Sequence, residues 1–327
     1  MTVDQAFESF LFHCQYEKNL GEKTLRAYRI DLTQFQDHLK ASTFEGAIGE
    51  VNKELLRTYI QHLYESYKPK TIKRKIATLK ALFNQMEFDD QISVNPFRKI
   101  RLHIKEAKVL PKAVDLRVIK RLFHHLYLVK REYELSPRED FRYGILLRDI
   151  AVLELLFTTG IRVAELSGLR LADVDFRSKM IRILGKGNRE RVIPFGQTET
   201  VQAMQRYFNS HQSTITKNGY FFVNRFGNPL STDAVRELLR NRAKDSGISI
   251  HLTPHMFRHS VATLLLEQGV DIRYIQSLLG HSSIATTQIY TQVNIRQQCR
   301  IIMRNHPRKD FSYSGEPSPL EISSTPG

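Results

Sequence analysis

The octapeptide TPHMFRHS at positions 253–260 brings His255, Arg258 and His259 into one short stretch. Histidines four residues apart share a helix face, so zinc is the first chemistry to weigh. The helical zinc-protease pattern needs a glutamate directly after the first histidine, and Met256 stands there. Thr253 suits an N-cap, Pro254 a first helical position and Gly269 a helix stop. His255 and Arg258 then lie one turn apart at a helix N-terminus, where the backbone already favours an anion. Three further stretches carry chemically capable residues. In TTGIRVAEL, Gly160 breaks one helix, and Arg162 and Glu165 share a face of the next. In GKGNRE, Lys186 stands between Gly185 and Gly187, which let a turn carry it at a mobile tip. In LLGHSSIATTQIYTQV, Gly280 ends a helix, His281 lies in the turn, and Ser282 or Ser283 caps a helix containing Tyr290.

Composition narrows what these residues act on. The chain has 327 residues, room for two domains, with a net charge of +15 and a pI near 9.8. Such a basic excess points to a polyanion, either nucleic acid or an acidic membrane surface. No apolar run approaches the roughly 18–20 residues of a membrane span, and the N-terminus MTVDQAFESFLFHCQ lacks the basic start of a signal peptide. No membrane partner is therefore expected. Cys14 and Cys299 form no metal spacing and read as reduced thiols of a cytoplasmic protein. Neither a metal nor a cofactor is called for.

The elements that must position these residues read as mainly α with one small β-hairpin. EKTLRAYRIDLTQFQDHL places Leu25, Tyr28, Leu32, Phe35 and Leu39 on one apolar stripe. NKELLRTYIQHLYE repeats the pattern behind Asn52, a suitable N-cap. KPKTIKRKIATLKALFNQM sets Ile72, Ile76, Leu79, Phe83 and Met86 on one face and Lys70, Lys73, Arg74, Lys75 and Lys80 on the other. No acid falls between Ser66 and Met86, so this face reads as one that tracks phosphates rather than as a merely solvated one. Periodicity fails over NPFRKIRLHIKEAKVLPK, the expected linker, and KREYELSPREDFRYG reads as a surface loop. MIRIL and RVIPF form the hairpin. The expected domains are a helical domain with a basic face over 1–97, a linker over 98–112, a second domain carrying the candidate residues over 113–305 and a disordered tail over 306–327. The tail holds four prolines and five serines, a composition that cannot build a core.

In TGIRVAEL, GKGNRERVIP, HMFRHS, LGHSS and the tyrosine nine residues after His281, in that order, the chain resembles the tyrosine recombinase (phage integrase) family. The likeness runs from about Gln5 to Ile302, and the first segment is similar to the SAM-like core-binding domain of Xer-like and mobile-element members. The resemblance implies that the domain over 1–97 binds DNA and that over 113–305 is catalytic. Together they would form a two-domain, C-shaped clamp on duplex DNA, acting as a homotetramer through exchange of C-terminal helices. It also implies a site-specific recombinase without metal, which forms a 3′-phosphotyrosine. Arg162 and Arg258 would hold the phosphate, His255 take the tyrosine proton, and Lys186 protonate the leaving 5′-oxygen. His281 would donate to the phosphate, Glu165 brace the site and Tyr290 attack. A role in integration or excision of a mobile element, or in chromosome or plasmid dimer resolution, follows. No additional domain precedes the first helices, which favours a Xer-like enzyme or a mobile-element integrase.

Plainer readings stand beside these. His259 reads as a histidine packed behind its helix rather than a second base. Glu165 could be a surface partner of Arg162, Tyr290 a core tyrosine, and Lys186 an exposed turn lysine with Arg189 and Arg191 as rivals. Two other functions use part of the same residues. A type IB topoisomerase would relax DNA as a monomer, and a DNA-binding regulator would dispense with the tyrosine.

Overall fold

A computed structural model of the chain describes residues 1–105, 113–136, 141–184, 190–280 and 292–313. It divides into two compact units, Met1–Val109 and Leu110–Gly327.

The first unit is helical: α1 (Val3–Phe12), α2 (Glu22–Ala41), α3 (Lys53–Ser66) and α4 (Pro69–Phe88). Local chemistry sets the helix starts. Thr2 and Gln5 form a capping box at α1, Asn52 accepts the N–H groups of Glu54 and Leu55 at α3, and Pro69 opens α4. The apolar stripes meet in one core, with Leu32, Phe35, Leu56, Leu79 and Phe83 almost wholly buried. The basic face of α4 differs from the expectation at Lys75. Its side chain is buried, donates to Asp31 at 3.0 Å and lies 4.8 Å from the Tyr67 ring. Asp31, itself buried, also binds Arg74 and accepts from Thr78 at 2.9 Å. Lys75 thus faces inward because a buried carboxylate on α2 requires a partner. Lys70, Lys73, Arg74 and Lys80 remain exposed. Residues 96–99 form a short 3-10 turn, and Ile100, Leu102 and Ile104 pack on this unit's core.

The second unit is built round an apolar helix. Its helices α5 (Leu116–Leu135) and α6 (Phe141–Thr159) are followed by short α7 (Val163–Ser167). The expected surface loop is instead the end of α5 and the start of α6, with residues 137–140 outside the described chain. Its described charges lie on helix faces, where Lys130 pairs with Glu134 at 2.9 Å, and Tyr133 stacks on Tyr143. From Leu146 onward nearly every α6 residue is buried, because α5 and two later helices cover it.

The sheet has three antiparallel strands in the order β1 (Val174–Asp175), β2 (Met180–Leu184) and β3 (Glu190–Pro194). β1 is too short to leave a sequence pattern. Ile181 pairs with Ile193 and Ile183 with Arg191, so one face is inward. There follow α8 (Thr198–Asn218), α9 (Thr232–Asp245), α10 (Pro254–Glu267), α11 (Ile272–Leu279) and α12 (Gln292–Asn305). α8 and α10 are the two helices that complete the cover of α6.

The expected disordered tail is corrected over its first part. His306 and Arg308 have no exposed surface. Arg308 forms a two-pronged ion pair with Glu154 of α6, at 2.8 and 2.7 Å. The apolar residues of α12 are covered as well: Cys299 and Ile302 are buried on their own unit, and Met303 O accepts from Gln197 at 2.9 Å. No described helix is long and apolar enough to cross a membrane.

Candidate active site

The site begins where α6 stops. Gly160 adopts φ +59°, and a Cβ there would meet Leu279 at 2.7 Å, so glycine is required twice over. The turn frees the Gly160 carbonyl, which accepts from Arg258 at 2.8 Å. Arg258 also donates to the Leu279 carbonyl. It begins the second turn of α10, whose N-cap Thr253 accepts the N–H of Met256, as the sequence predicts.

Arg162 caps α7. Its backbone N–H donates to Glu165 at 2.8 Å and its guanidinium to the same carboxylate at 2.9 Å. Its other terminal nitrogen donates to the Gly280 carbonyl at 2.8 Å. Arg191 on β3 grips Glu165 with two bonds of 3.0 and 2.7 Å and reaches the Leu278 carbonyl at 3.2 Å. Three arginines therefore bind three successive carbonyls, 278 to 280, at the C-terminal end of α11, where the helix dipole is negative. Three guanidinium groups face one carboxylate, which leaves a local excess of positive charge. Burial pushes the Glu165 carboxyl up, but the bonds from Arg191 and Arg162 outweigh it and hold it below the usual carboxylate range. Burial, then the charge of Arg162, lowers Arg258 to about 10, so it stays protonated at neutral pH. Arg162 has 44% of its side chain exposed and Arg191 15%, so Arg162 is the arginine open to a ligand.

His255 is exposed on the first turn of α10, while His259 is half-buried behind it. Among the described residues no three His, Cys, Asp or Glu side chains gather as a metal site would need. Lys186, His281 and Tyr290 lie outside the described residues. Of the expected site, Arg162, Glu165 and Arg258 are brought together, with His255 one turn from Arg258. Arg191 entered the sequence reading only as a rival to Lys186, and here it is the main brace of Glu165. Its signal was strand alternation: Arg191 shares the inward parity of Ile193, a position where a charge needs a buried partner.

The phage integrase family profile matches residues 143–297, and the profile of the phage integrase N-terminal SAM-like domain matches residues 7–86. A tyrosine recombinase of Agathobacter rectalis is 41% identical over 93% of this chain and 97% of its own length. Tyrosine recombinase XerC of Staphylococcus epidermidis is 35% identical over 94% of this chain and 98% of its own. Among solved structures, XerH recombinase bound to a palindromic difH substrate aligns with a TM-score of 0.66, at 19% identity over 87% of this chain and 80% of that one. Lambda integrase (residues 75–356) bound to DNA aligns at 0.63, with 18% identity over 91% and 98%. These two likenesses establish the fold.

Proposed function

The chain belongs to the phage integrase family of tyrosine recombinases and is a site-specific DNA recombinase, and we propose that it breaks and rejoins duplex strands through a 3′-phosphotyrosine at Tyr290. The Tyr290 oxygen bonds to phosphorus as the P–O5′ bond breaks. His255 takes the phenol proton, and Lys186 supplies a proton to the leaving 5′-oxygen. A 5′-hydroxyl from the partner strand then attacks the phosphorus, giving its proton to Lys186, as the P–O bond to Tyr290 breaks and His255 returns a proton to the phenolate, so the strand is rejoined without net hydrolysis. Arg162 and Arg258 stabilise charge on the non-bridging oxygens, with His281 donating a further hydrogen bond.

The observation that carries this reading is the arginine cluster: two guanidinium charges beyond the one carboxylate, with Arg162 open to a ligand. Glu165 acts as the brace that orders Arg162 and Arg191. Lys70, Lys73, Arg74 and Lys80 of the first unit contact DNA phosphates, and Lys75 is withdrawn from that role by its pairing with Asp31. Four protomers act on two duplex sites in the cytoplasm. α12, which lies on its own unit in the single chain, passes to a neighbour in that assembly. Base-contacting side chains select the site. Genomic neighbourhood, near a replication terminus or inside a mobile element, distinguishes dimer resolution from element movement. The test is Tyr290→Phe on a nicked suicide substrate. Retained DNA affinity with no covalent complex supports the proposal, and a covalent complex formed by this variant overturns it.

A further inference from the structure

We propose that the acidic C-terminal stretch, residues 314–327, is an intramolecular ligand of a basic, aromatic groove along α6 and α8. The groove has two parts. A cavity of about 180 Å³ between α5, α6 and α8 carries Lys130, Arg131 and Arg206 against the single carboxylate Glu134. A wider part, of about 1160 Å³, opens where α6 begins and α8 ends. It presents Arg148, Lys217 and Arg225, with no carboxylate among its described lining residues. Phe141 and Phe226 on its rim are 71% and 72% exposed. Arg148 is held by Asp149 at 2.8 Å, but Lys217 and Arg225 have no carboxylate partner among the described residues, and large aromatics left open beside such cations mark a surface built to be covered. His211 adds a buried Nδ1 with no partner. The two parts are in line because α6 and α8 run antiparallel: Thr200 bonds Glu154, and a Cβ on Gly144 would meet His211. The wider part lies at the opposite end of α6 from the arginine cluster, about 27 Å away at 1.5 Å per residue, so it is no extension of the phosphate site.

The occupant follows from where the described chain ends. Tyr313 lines the smaller cavity, its hydroxyl bonded to the Lys120 carbonyl at 2.7 Å and its ring stacked on Tyr127 at 5.7 Å. The fourteen residues beyond it contain Glu316 and Glu321, no lysine or arginine, and the apolar pair Leu320 and Ile322. They also contain three prolines, which lower the entropy lost on ordering. At about 3.1 Å per residue, the nine residues to Ile322 reach roughly 28 Å. The path from Arg206 to Lys217 along α8 is about 16 Å. That span suffices to bring Glu316 to the cations of the smaller cavity and the Leu320–Ile322 stretch, with Glu321, to the exposed phenylalanines, Lys217 and Arg225. Tethering supplies an effective concentration on the order of millimolar, so individually weak contacts suffice.

The test is Phe226→benzoylphenylalanine in the full-length chain, irradiated dilute as a mixture of isotopically light and heavy protein. Cross-links should map within residues 314–327 and join light only to light and heavy only to heavy. In a K217E/R225E background their yield should fall roughly fivefold or more, as two attractions become repulsions. Cross-links between copies, cross-links to added duplex DNA in preference to the tail, or an undiminished yield in K217E/R225E would each overturn the proposal.

Discussion

Arg258 is nearly buried yet keeps its charge at neutral pH, because its pKa stays near 10 and the Gly160 and Leu279 carbonyls accept hydrogen bonds from its guanidinium. Removing it takes a charge from the phosphate and leaves two carbonyls without a donor. Arg258→Ala and Arg162→Ala should each slow cleavage by about one to two powers of ten per lost bond, at about 1.5–3 kcal/mol each. DNA affinity, spread over many cations, should change little. Single-turnover cleavage on nicked substrates checks this, and wild-type rates in both variants would place the phosphate elsewhere. Lys186 carries a separate prediction. Lysine has a proton to give, whereas an ordinary arginine holds its own too tightly, and Arg258 is committed to the Gly160 and Leu279 carbonyls. Lys186→Ala should therefore be slow on ordinary DNA and near wild-type speed when the bridging 5′-oxygen is sulfur, since a thiolate leaves unprotonated. Arg258→Ala should stay slow on both, and equal defects for Lys186→Ala on both substrates would remove Lys186 from the role of acid. At this scale the sequence motifs foretold the meeting of Arg162, Glu165 and Arg258. The grip of Arg191 on Glu165 and the three carbonyl contacts were hidden, because they depend on how β3 and α11 meet.

The C-terminal segment is an element in its own right. His306 Nε2 donates to the Phe157 carbonyl at 3.1 Å while its Nδ1 accepts the Arg308 N–H at 3.0 Å, which fixes the neutral tautomer. Arg308 and Glu154 are both fully buried, and Tyr127 and Thr200 satisfy the remaining carboxylate positions at 2.8 and 3.0 Å. Arg308→Ala would leave Glu154 buried and unpaired and should cost about 3–5 kcal/mol. Chemical denaturation should accordingly find a chain ending at Asn305 much weakened and one ending at Tyr313 nearly unchanged. Equal stability of the two would contradict the anchor. Burial lowers His306 to about 3 from an ordinary 6.5, so the unfolded chain takes up a proton that the folded one refuses. Stability is then complete above about pH 6.5 and falls as pH drops toward 3, by up to about 1.4 kcal/mol per pH unit from this group. His306→Gln should flatten that slope in stability measured against pH. The polar composition of 306–327 concealed the anchor. Its sequence signal lay elsewhere, in Glu154, a lone acid within the apolar run IAVLELLF, which demands a buried cation.

At the scale of the whole molecule, the helical stripes of α2, α3 and α4, the Asn52 cap of α3, the hairpin, and the helix breaks at Gly160 and Gly280 were legible because each follows from local periodicity, capping chemistry or backbone freedom. The inward turn of Lys75 was not, since it depends on Asp31, forty-four residues earlier in the chain. The basic excess pointed to a polyanion, and the family identified here acts on DNA. The central claim is that the strand is held through one particular tyrosine, and the most direct measurement of it is mass spectrometry of the covalent product. The wild-type chain is trapped on a nicked suicide substrate and digested with protease, and the peptide bearing the nucleotide is sequenced. The account predicts a single modified peptide with the 3′-phosphate on Tyr290, absent from Tyr290→Phe. A nucleotide attached to any other residue, or strand exchange with no covalent protein–DNA intermediate, would contradict it.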